Sequence, residues 1–551
     1  MRSIVLVTAF LVLAGCSSVG EVAEIMTGGG ERTLREPLRP ITPGPRVLVL
    51  ALDGVGDAVL RDALRDGAMP RLAALVGPTE GDVWAHAYAV PNAPSVFPAE
   101  TAAGWAAVFT GRPPSENGVA GNEWFDRDSV ETFAPVPLSV GTVKQTLQIY
   151  TDDLLGEVLQ VPTVFELADV RSHVSLGFVH RGADVLNPPD LGDLPDLLGA
   201  ALRFVVGGDP KAAAYKALDD DTWTGVQRAA RRHGLPRLQV AYFPGVDLAT
   251  HDDGPPAQRA HLTRVVDRRI GDILDLYADR GALGDTFVLV VSDHGHAPSL
   301  ADTTHSLNAG DPGEPRDLFE HLGRRLRPFE IGSDSTADFQ AVMTYNEAVA
   351  VVTLADQRTC PNAGDECDWS RGPRLEEDVL PVARAFAEAG RTGEGASKLQ
   401  GAIDLVLARA SRPSDGSRPP YRVLDGDRLV SVADYLAANP RPDLLDFERR
   451  LGWLTEGPLG DRGGDVLVMA KSGTDRPIEE RYYFAAPRRS GHGSATTDDG
   501  TISFVLAHTG RSGATLQALV TGVAGARPTQ LDVTPLILNL LGVEPSGPSG
   551  R

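Results

Sequence analysis

Seven short apolar runs recur along the chain, and they constrain its fold more than any other feature. Each has four to seven mostly hydrophobic residues, which is typical of a strand buried on both faces. The runs are VLVLAL at 47–52, VSLGFV at 174–179, LQVAYF at 238–243, FVLVV at 287–291, AVAVVTL at 348–354, VLVM at 466–469 and ISFVLA at 502–507. Helical patterns alternate with them, clearly at 257–278 and more briefly at 163–170. This alternation predicts an α/β fold with a mostly parallel central sheet and helices on both of its faces.

A long polar segment interrupts the pattern. Residues 356–463 are rich in Pro and charged residues, and helical patches within them fall at 379–389 and 399–408. We expect an inserted cap subdomain here, over one edge of the sheet or the mouth of a site. The rest of 46–545 is expected to form one domain, followed by a disordered tail at 546–551.

The first 45 residues have the layout of an export signal and a tether. Residues 4–14 are an apolar run too short to span a bilayer comfortably, and LAGC at 13–16 resembles a bacterial lipobox. We therefore predict a lipoprotein signal peptide at 1–15, a lipid anchor on Cys16 and a flexible tether at 16–45. A signal anchor and a plain signal with a chance cysteine are the alternatives. The expected location is outside the cytoplasm, on a bacterial membrane in the periplasm or at the cell surface.

The net charge limits which molecules the chain can bind, and the cysteine content limits which disulfides it can form. The chain has 74 acidic and 52 basic residues and a formal net charge of −22, which argues against binding nucleic acid. An acidic chain that handles an anion needs local cations, most simply metal ions. If Cys16 is lipidated, only Cys360 and Cys367 remain, and an oxidising compartment favours a disulfide between them over two free thiols.

Carboxylates and imidazoles follow several of the predicted strands. In an open α/β sheet, ligands bind beyond the carboxyl ends of the strands, so we expect these side chains to converge. Three Asp and three His suit zinc or a similar divalent ion. They are Asp53 after the first run, Asp247 and His251 after the third, Asp293 and His294 after the fourth, and the late His492. His296 and His305 are interpreted as ordinary loop residues.

The order of these motifs resembles that of the alkaline phosphatase superfamily, and most closely its type I phosphodiesterase/nucleotide pyrophosphatase branch. The resemblance covers about 46–350 and 464–545. It rests on Asp53-Gly54, a nucleophile segment around Thr101 with Thr110-Gly111, Asp247-x-x-x-His251-x-x-Gly254-Pro255, Ser292-Asp293-His294-Gly295 and His492-Gly493.

The resemblance implies a phosphoric ester hydrolase with two divalent metal ions, usually zinc. One ion would be held by Asp247, His251 and His492. The other would be held by Asp53, Asp293, His294 and the hydroxyl oxygen of Thr101. Thr101 would attack phosphorus and form a phospho-threonine, and Asn122 would donate a hydrogen bond to a phosphoryl oxygen.

Some positions depart from the family pattern and leave the substrate open. Glu100 stands where the family often has Lys, and Gly104 where it usually has Asn. Arg181 is either a phosphate clamp, as in bacterial zinc alkaline phosphatases, or a surface residue at a strand end. We favour a phosphodiester, pyrophosphate or nucleotide substrate, with a phosphomonoester as the alternative. Ser95 is a rival nucleophile.

A non-catalytic surface lipoprotein is the remote alternative. It predicts the loss of at least one metal ligand, and all six of the expected Asp and His residues are present. The motifs do not indicate an oligomeric state.

Overall fold

The computed structural model describes residues 30–139, 144–189, 212–328, 338–410 and 419–543. The predicted signal peptide, Cys16, the first part of the predicted tether and the predicted tail lie outside the described residues. Among the helices that are described, none is both long enough and apolar enough to cross a membrane.

The described strands form two large sheets and three two-stranded sheets. In chain order the described strands are β1 (Arg32–Thr33), β2 (Arg46–Leu52), β3 (Thr79–Glu80), β4 (Val83–Trp84), β5 (Ala87–Ala89), β6 (Ala93–Pro94), β7 (Trp124–Asp126), β8 (Glu131–Phe133), β9 (Ser172–Ser175), β10 (Val185–Asn187), β11 (Leu238–Phe243), β12 (Thr286–Val291), β13 (Ala297–Pro298), β14 (Ala341–Asn346), β15 (Val349–Leu354), β16 (Ile403–Ala408), β17 (Arg422–Asp425), β18 (Arg428–Ser431), β19 (Val466–Ala470), β20 (Ser490–Gly491), β21 (Thr501–Ile502) and β22 (Phe504–Ala507).

Helices pack against the two large sheets. The described α-helices are α1 (Asp57–Arg65), α2 (Pro70–Val76), α3 (Thr101–Thr110), α4 (Pro114–Asn117), α5 (Lys144–Thr151), α6 (Leu154–Val158), α7 (Val164–Ala168), α8 (Ala212–His233), α9 (Gly245–Asp253), α10 (Pro255–His261), α11 (Asp267–Asp279), α12 (Asp317–His321), α13 (Leu380–Thr392), α14 (Val432–Ala438), α15 (Phe447–Thr455), α16 (Thr497–Gly500), α17 (Gly513–Ala524) and α18 (Val533–Leu540). Single π-helical turns at Leu262–Val266 and Leu375–Val379 precede α11 and α13.

The central sheet has ten strands in the order β1-β10-β9-β11-β2-β12-β22-β5-β4-β3. The five strands from β10 to β12 in this order are parallel, and β22 runs antiparallel beside β12. Alternate residues of β2 pack into two different cores: Val47 and Val49 on one face, Leu48 and Leu50 on the other. Helices α3 and α18 cover the first face, and α1, α2 and α11 cover the second. The predicted α/β class, with a parallel central sheet and helices on both faces, is confirmed.

A second sheet of six antiparallel strands has the order β14-β15-β19-β16-β17-β18. The runs at 348–354 and 466–469 lie in it as β15 and β19, and the run at 502–507 forms β21 and β22, which are also antiparallel. The expectation that these three runs form parallel strands is therefore wrong. A continuous apolar run reports burial on both faces and carries no information on strand direction. Both faces of β15 are indeed covered, by two different cores.

The insertion at 356–463 contributes β16, β17 and β18 to the second sheet. Its helical patch at 379–389 corresponds to the last residue of the π turn and most of α13. The helix expected at 399–408 is wrong, because residues 403–408 form strand β16. In β16, Leu405 and Leu407 face one core while Val406 and Ala408 face the other, which is a strand period of two. Cys360 and Cys367 form a disulfide in this segment, with Cα atoms 4.8 Å apart.

The described part of the predicted tether, residues 30–45, contacts the central sheet and the segment beside it. Strand β1 pairs antiparallel with β10. The buried Arg39 guanidinium forms ion pairs with Asp169 at 2.7 Å and Asp184 at 3.0 Å. Composition alone could not show this, because a Pro-rich segment without periodicity can still be fixed by a few charged side chains.

The two predicted helices near the site are confirmed. The helix expected at 163–170 is α7, which begins with a capping box between Thr163 and Glu166. The amphipathic pattern at 257–278 corresponds to α10, a π turn and α11 in succession.

Candidate active site and metal centre

The predicted metal ligands lie just after strands of the structure or on a helix that follows a strand. Asp53 directly follows β2, and Asp293 and His294 follow β12 after one residue. Asp247 and His251 are on α9, which follows β11, and His492 directly follows β20. Because β2, β11 and β12 are parallel neighbours, their carboxyl ends meet at one edge of the sheet.

One group of ligands surrounds His294. Its Nε2 atom lies 3.5 Å from Asp53 Oδ1, 3.4 Å from Asp293 Oδ2 and 3.2 Å from the Oγ1 atom of Thr101. Thr101 is the first residue of α3, so its hydroxyl lies at the positive end of a ten-residue helix. These are the four residues expected at one metal ion.

The second group is held by α9. Asp247 and His251 are four residues apart and share one face of the helix, with 3.4 Å between Asp247 Oδ2 and His251 Nε2. The His492 ring lies 5.0 Å from the His251 ring and stacks on the His294 ring at 3.8 Å. The structure thus brings all seven predicted residues into one buried cluster.

The backbone fixes which imidazole nitrogens face this cluster. The Nδ1 atoms of His251, His294 and His492 lie 2.9–3.0 Å from the carbonyl oxygens of Ser490, Gly295 and Ala99 respectively. A carbonyl only accepts, so each Nδ1 carries the proton and each Nε2 presents its lone pair. Burial lowers the pKa of all three imidazoles well below the usual value, which keeps them neutral as metal ligands require.

The carboxylates of the cluster are buried and lie close to one another. Burial, reinforced by neighbouring carboxylates, raises the pKa of Asp53 and Asp293 well above the usual value, and burial raises that of Asp247 to about 7. Asp53 Oδ1 and Asp293 Oδ2 are buried without a hydrogen-bond partner among the described residues. Mixed oxygen and imidazole donors around such orphaned atoms fit divalent metal ions.

Comparisons with known proteins show which family this chain resembles. Residues 47–311 match the family model "Type I phosphodiesterase / nucleotide pyrophosphatase". This region is similar to that family. That family is metal-dependent.

Two relatives of the phosphodiesterase family illustrate the match. The ectonucleotide pyrophosphatase/phosphodiesterase 2 of Saccharomyces cerevisiae is 23% identical over 256 residues, which cover 45% of this chain and 47% of that protein. The chain therefore matches about half the length of this curated relative. The structure of an inactive form of murine ectonucleotide pyrophosphatase/phosphodiesterase 5 in complex with AMP superposes with a TM-score of 0.51 at 12% identity, over 92% of this chain and 97% of that one. That likeness shows the shared fold.

Gly104 is explained by the packing of α3. A Cβ atom at Gly104 would lie 2.7 Å from Asp293 Cβ and 3.1 Å from the Asp293 carbonyl oxygen. The absence of a side chain therefore lets the helix that carries Thr101 approach the strand end that carries Asp293.

Gly104→Ala is expected to move α3 away from Asp293. We expect a loss of about 1–3 kcal/mol in the free energy of unfolding, because backbone atoms cannot yield as a side chain can. Gly522→Ala in α17 is the matched control: a Cβ there meets nothing within 4 Å, so that variant is expected to gain about 0.5–1 kcal/mol. Chemical denaturation of both variants measures the difference, and equal effects would contradict this role of Gly104.

Asn122 lies beside the nucleophile segment. Its Oδ1 atom accepts a hydrogen bond of 2.9 Å from the Ala102 backbone N–H, and its Nδ2 donates to Glu100 Oε2. The Asn122 backbone N–H donates to Asn346 Oδ1 at 2.7 Å. The side chain is thus held next to Thr101, and its contact with a phosphoryl oxygen stays a prediction.

Arg181 is not placed as a phosphate clamp. Its five N–H donors are taken by Glu166 and by the carbonyl oxygens of Gly156, Leu159 and Val161. The residue ties the loop after α6 to α7, and the clamp interpretation is corrected on that ground. Strand-end position suggested the clamp, but sequence cannot show which acceptors a guanidinium meets.

Arg181→Met is accordingly expected to act on stability. Losing the bonds to three backbone carbonyls should cost about 1–3 kcal/mol in the free energy of unfolding. The ratio of diester to monoester hydrolysis is expected to stay unchanged, since no donor of Arg181 is free for substrate. A change in this ratio without a loss of stability would restore the clamp interpretation.

Ser95 is similarly occupied. Its hydroxyl donates to the Val96 carbonyl at 2.9 Å and accepts from the Arg450 guanidinium at 3.0 Å. Arg450 belongs to α15 of the insertion, so this serine joins the insertion to the nucleophile segment. These bonds argue against Ser95 as a nucleophile.

Sequence reasoning missed several residues of the cluster. His296, interpreted as an ordinary loop residue, bonds Asp247 Oδ1 through Nε2 at 2.6 Å and Ser490 Oγ through Nδ1 at 3.0 Å. Tyr242, at the end of β11, donates its hydroxyl to Asp53. His296 could have been found from its place two residues after His294, and Tyr242 from its place at a strand end. His305, the other loop histidine, bonds the exposed Asp302.

Proposed function

We propose that the chain is a metal-dependent phosphodiesterase or nucleotide pyrophosphatase in which Thr101 is the nucleophile. The observation that supports this most is the position of the Thr101 hydroxyl, 3.2 Å from His294 Nε2 and at the amino end of α3. Asp53 and Asp293 complete the group around it. Asp247 lies 3.4 Å from His251, whose ring lies 5.0 Å from that of His492, and these three residues form the adjoining group.

In this proposal, the residues of the cluster have different roles in an in-line displacement at phosphorus. Two divalent ions, which we propose to be Zn²⁺, would supply Lewis acidity when bound in the two groups. Thr101 Oγ1 forms a bond to phosphorus while the bond from phosphorus to the leaving oxygen breaks. With a diester substrate, the resulting threonine ester keeps the second ester group, and water then attacks its phosphorus and restores the hydroxyl. The amino end of α3 favours the charge on the phosphoryl oxygens, and the amide of Asn122 is held beside it.

The hydrogen bonds of Arg181 support a diester or pyrophosphate substrate. A monoester carries one more negative charge than a diester, and Arg181 has no free donor to meet it. The murine neighbour is held in complex with AMP, which is consistent with a nucleotide substrate here.

The substrate class is tested by comparing bis-p-nitrophenyl phosphate with p-nitrophenyl phosphate, with and without chelator. We expect faster release of p-nitrophenol from the diester and loss of both activities on chelation. Preference for the monoester would move the function to a phosphomonoesterase, and turnover of neither compound would contradict the proposal.

We further propose that the mature protein is held outside the cytoplasm by a lipid on Cys16. The lipobox at 13–16 supports this, and so does the Cys360–Cys367 disulfide, a bond that persists in oxidising compartments. Incorporation of radiolabelled palmitate into the wild type but not into Cys16→Ser is the expected result. Equal labelling, or none in either protein, would contradict the anchor.

A further inference from the structure

Glu347 is a buried carboxylate that the family motifs do not include. It lies in the two-residue connection between β14 and β15, so it reaches the cluster from the second sheet. It has a φ of +44°, a backbone conformation that residues other than glycine and asparagine seldom adopt, and its side chain is 1% exposed. A residue held in this way at a hairpin tip points to a function for its side chain.

Both carboxylate oxygens face the imidazoles of the second ligand group. Oε1 lies 3.7 Å from His251 Nε2, and Oε2 lies 3.9 Å from His492 Nε2. For comparison, the expected ligand Asp247 lies 3.4 Å from His251 Nε2. Ligand atoms placed tetrahedrally at about 2.0–2.1 Å from Zn²⁺ are roughly 3.3 Å apart. Glu347 therefore faces the metal-binding nitrogen of each ring at nearly the spacing of a fellow ligand.

Other contacts hold the Glu347 carboxylate in this orientation. Oε1 accepts a hydrogen bond of 2.9 Å from the buried Arg488 guanidinium, and Oε2 accepts one of 2.9 Å from the His492 backbone N–H. A carboxylate has about four acceptor positions, so these two bonds leave capacity for a metal ion. Hydrogen bonding from outer groups is the usual environment of a ligating carboxylate.

Glu100 provides an instructive contrast. It is equally buried, but it approaches the other side of the His492 ring, 3.5 Å from Nδ1. That nitrogen already donates to the Ala99 carbonyl. Glu100 thus adds negative charge near the cluster without facing the lone pair that binds metal.

We propose that Glu347 is a fourth protein ligand of the metal ion held by Asp247, His251 and His492. This inference rests on the proposed function, which supplies the ion. With Asp247 it would balance the charge of one divalent cation, and it would tie the second sheet to the metal centre through one side chain.

The test is metal binding by the full chain, independent of turnover. Wild-type protein is stripped and titrated with Zn²⁺ against a chelator, and a Co²⁺ form is examined by visible absorption. We expect two Zn²⁺ per wild-type chain. Glu347→Gln is expected to weaken one of the two sites by about 100-fold, to leave the other unchanged and to alter the Co²⁺ spectrum. Glu100→Gln, which removes the same charge from the same cluster, is expected to retain both affinities.

Each remaining outcome decides against the proposal. Unchanged affinities in Glu347→Gln, equal losses in Glu347→Gln and Glu100→Gln, or a weakened site with an unaltered Co²⁺ spectrum would make Glu347 a neighbour and not a ligand. If Glu347→Gln fails to fold, Glu347→Asp replaces it in the test, because aspartate keeps the negative charge on a side chain that is shorter by one methylene. An unaltered Co²⁺ spectrum of Glu347→Asp would also overturn the assignment of Glu347 as a ligand. A wild type that binds no metal would instead overturn the proposed function.

Discussion

Replacing Thr101 by Ala is expected to lower kcat for diester hydrolysis by about 10³-fold or more, with little change in KM. The variant removes the only oxygen of that side chain, while Asp53, Asp293 and His294 remain to hold metal and substrate. Loss of a nucleophile removes an interaction made only during the reaction, which affects kcat more than binding. Steady-state kinetics with bis-p-nitrophenyl phosphate measures the effect.

Thr110→Ala is the matched control for this variant. Thr110 is the last residue of the same helix, is also buried, and its hydroxyl donates to the Ala106 carbonyl at 2.6 Å. We expect nearly full activity from Thr110→Ala and partial activity from Thr101→Ser, which keeps a hydroxyl. Full activity in Thr101→Ala would show that another group attacks phosphorus.

Removing the metal ions is expected to destabilise the folded protein as well as to abolish its activity. Without cations, the buried Asp53, Asp247 and Asp293 repel one another, and burial opposes their ionisation. A ligand present at about 1,000 times its Kd adds about 4 kcal/mol to the free energy of unfolding. Calorimetry with excess Zn²⁺ and with excess chelator should therefore show a clearly higher Tm in the presence of the metal.

Calcium provides the control for this measurement. Ca²⁺ prefers six to eight oxygen ligands, whereas each of the two groups here includes imidazole nitrogens. We expect Zn²⁺ to restore Tm and activity to the stripped protein and Ca²⁺ to restore neither. Equal Tm values with Zn²⁺ and with chelator would show that the cluster does not bind metal.

The sequence predicts the central sheet and the ligand set well, because both depend on local patterns. Asp53, Asp293 and the α9 pair each follow a buried strand within a few residues, so strand prediction and parallel pairing are enough to place them together. The direction of β15 and β19 is different in kind. It depends on which partners these strands meet in a second sheet, and apolar composition does not encode that.

Glu347 and Arg181 show the same limit at the level of side chains. Glu347 reaches the site from the tip of the β14–β15 hairpin, 53 residues after His294, the nearest predicted ligand before it in the chain, and no motif connects the two. Arg181 has the right chemistry for a phosphate, yet three backbone carbonyls take its donors. Long-range contacts of this kind require the assembled fold.

The most direct test of the nucleophile is to trap the covalent intermediate. Protein mixed with excess diester is quenched in acid within the first turnover, digested, and examined by mass spectrometry. We predict an adduct on the Thr101 side chain that consists of the phosphoryl group with the second ester group of the diester still attached, and no adduct in Thr101→Ala. An adduct on another residue, or rapid turnover in the wild type with no adduct on any peptide, would contradict the account.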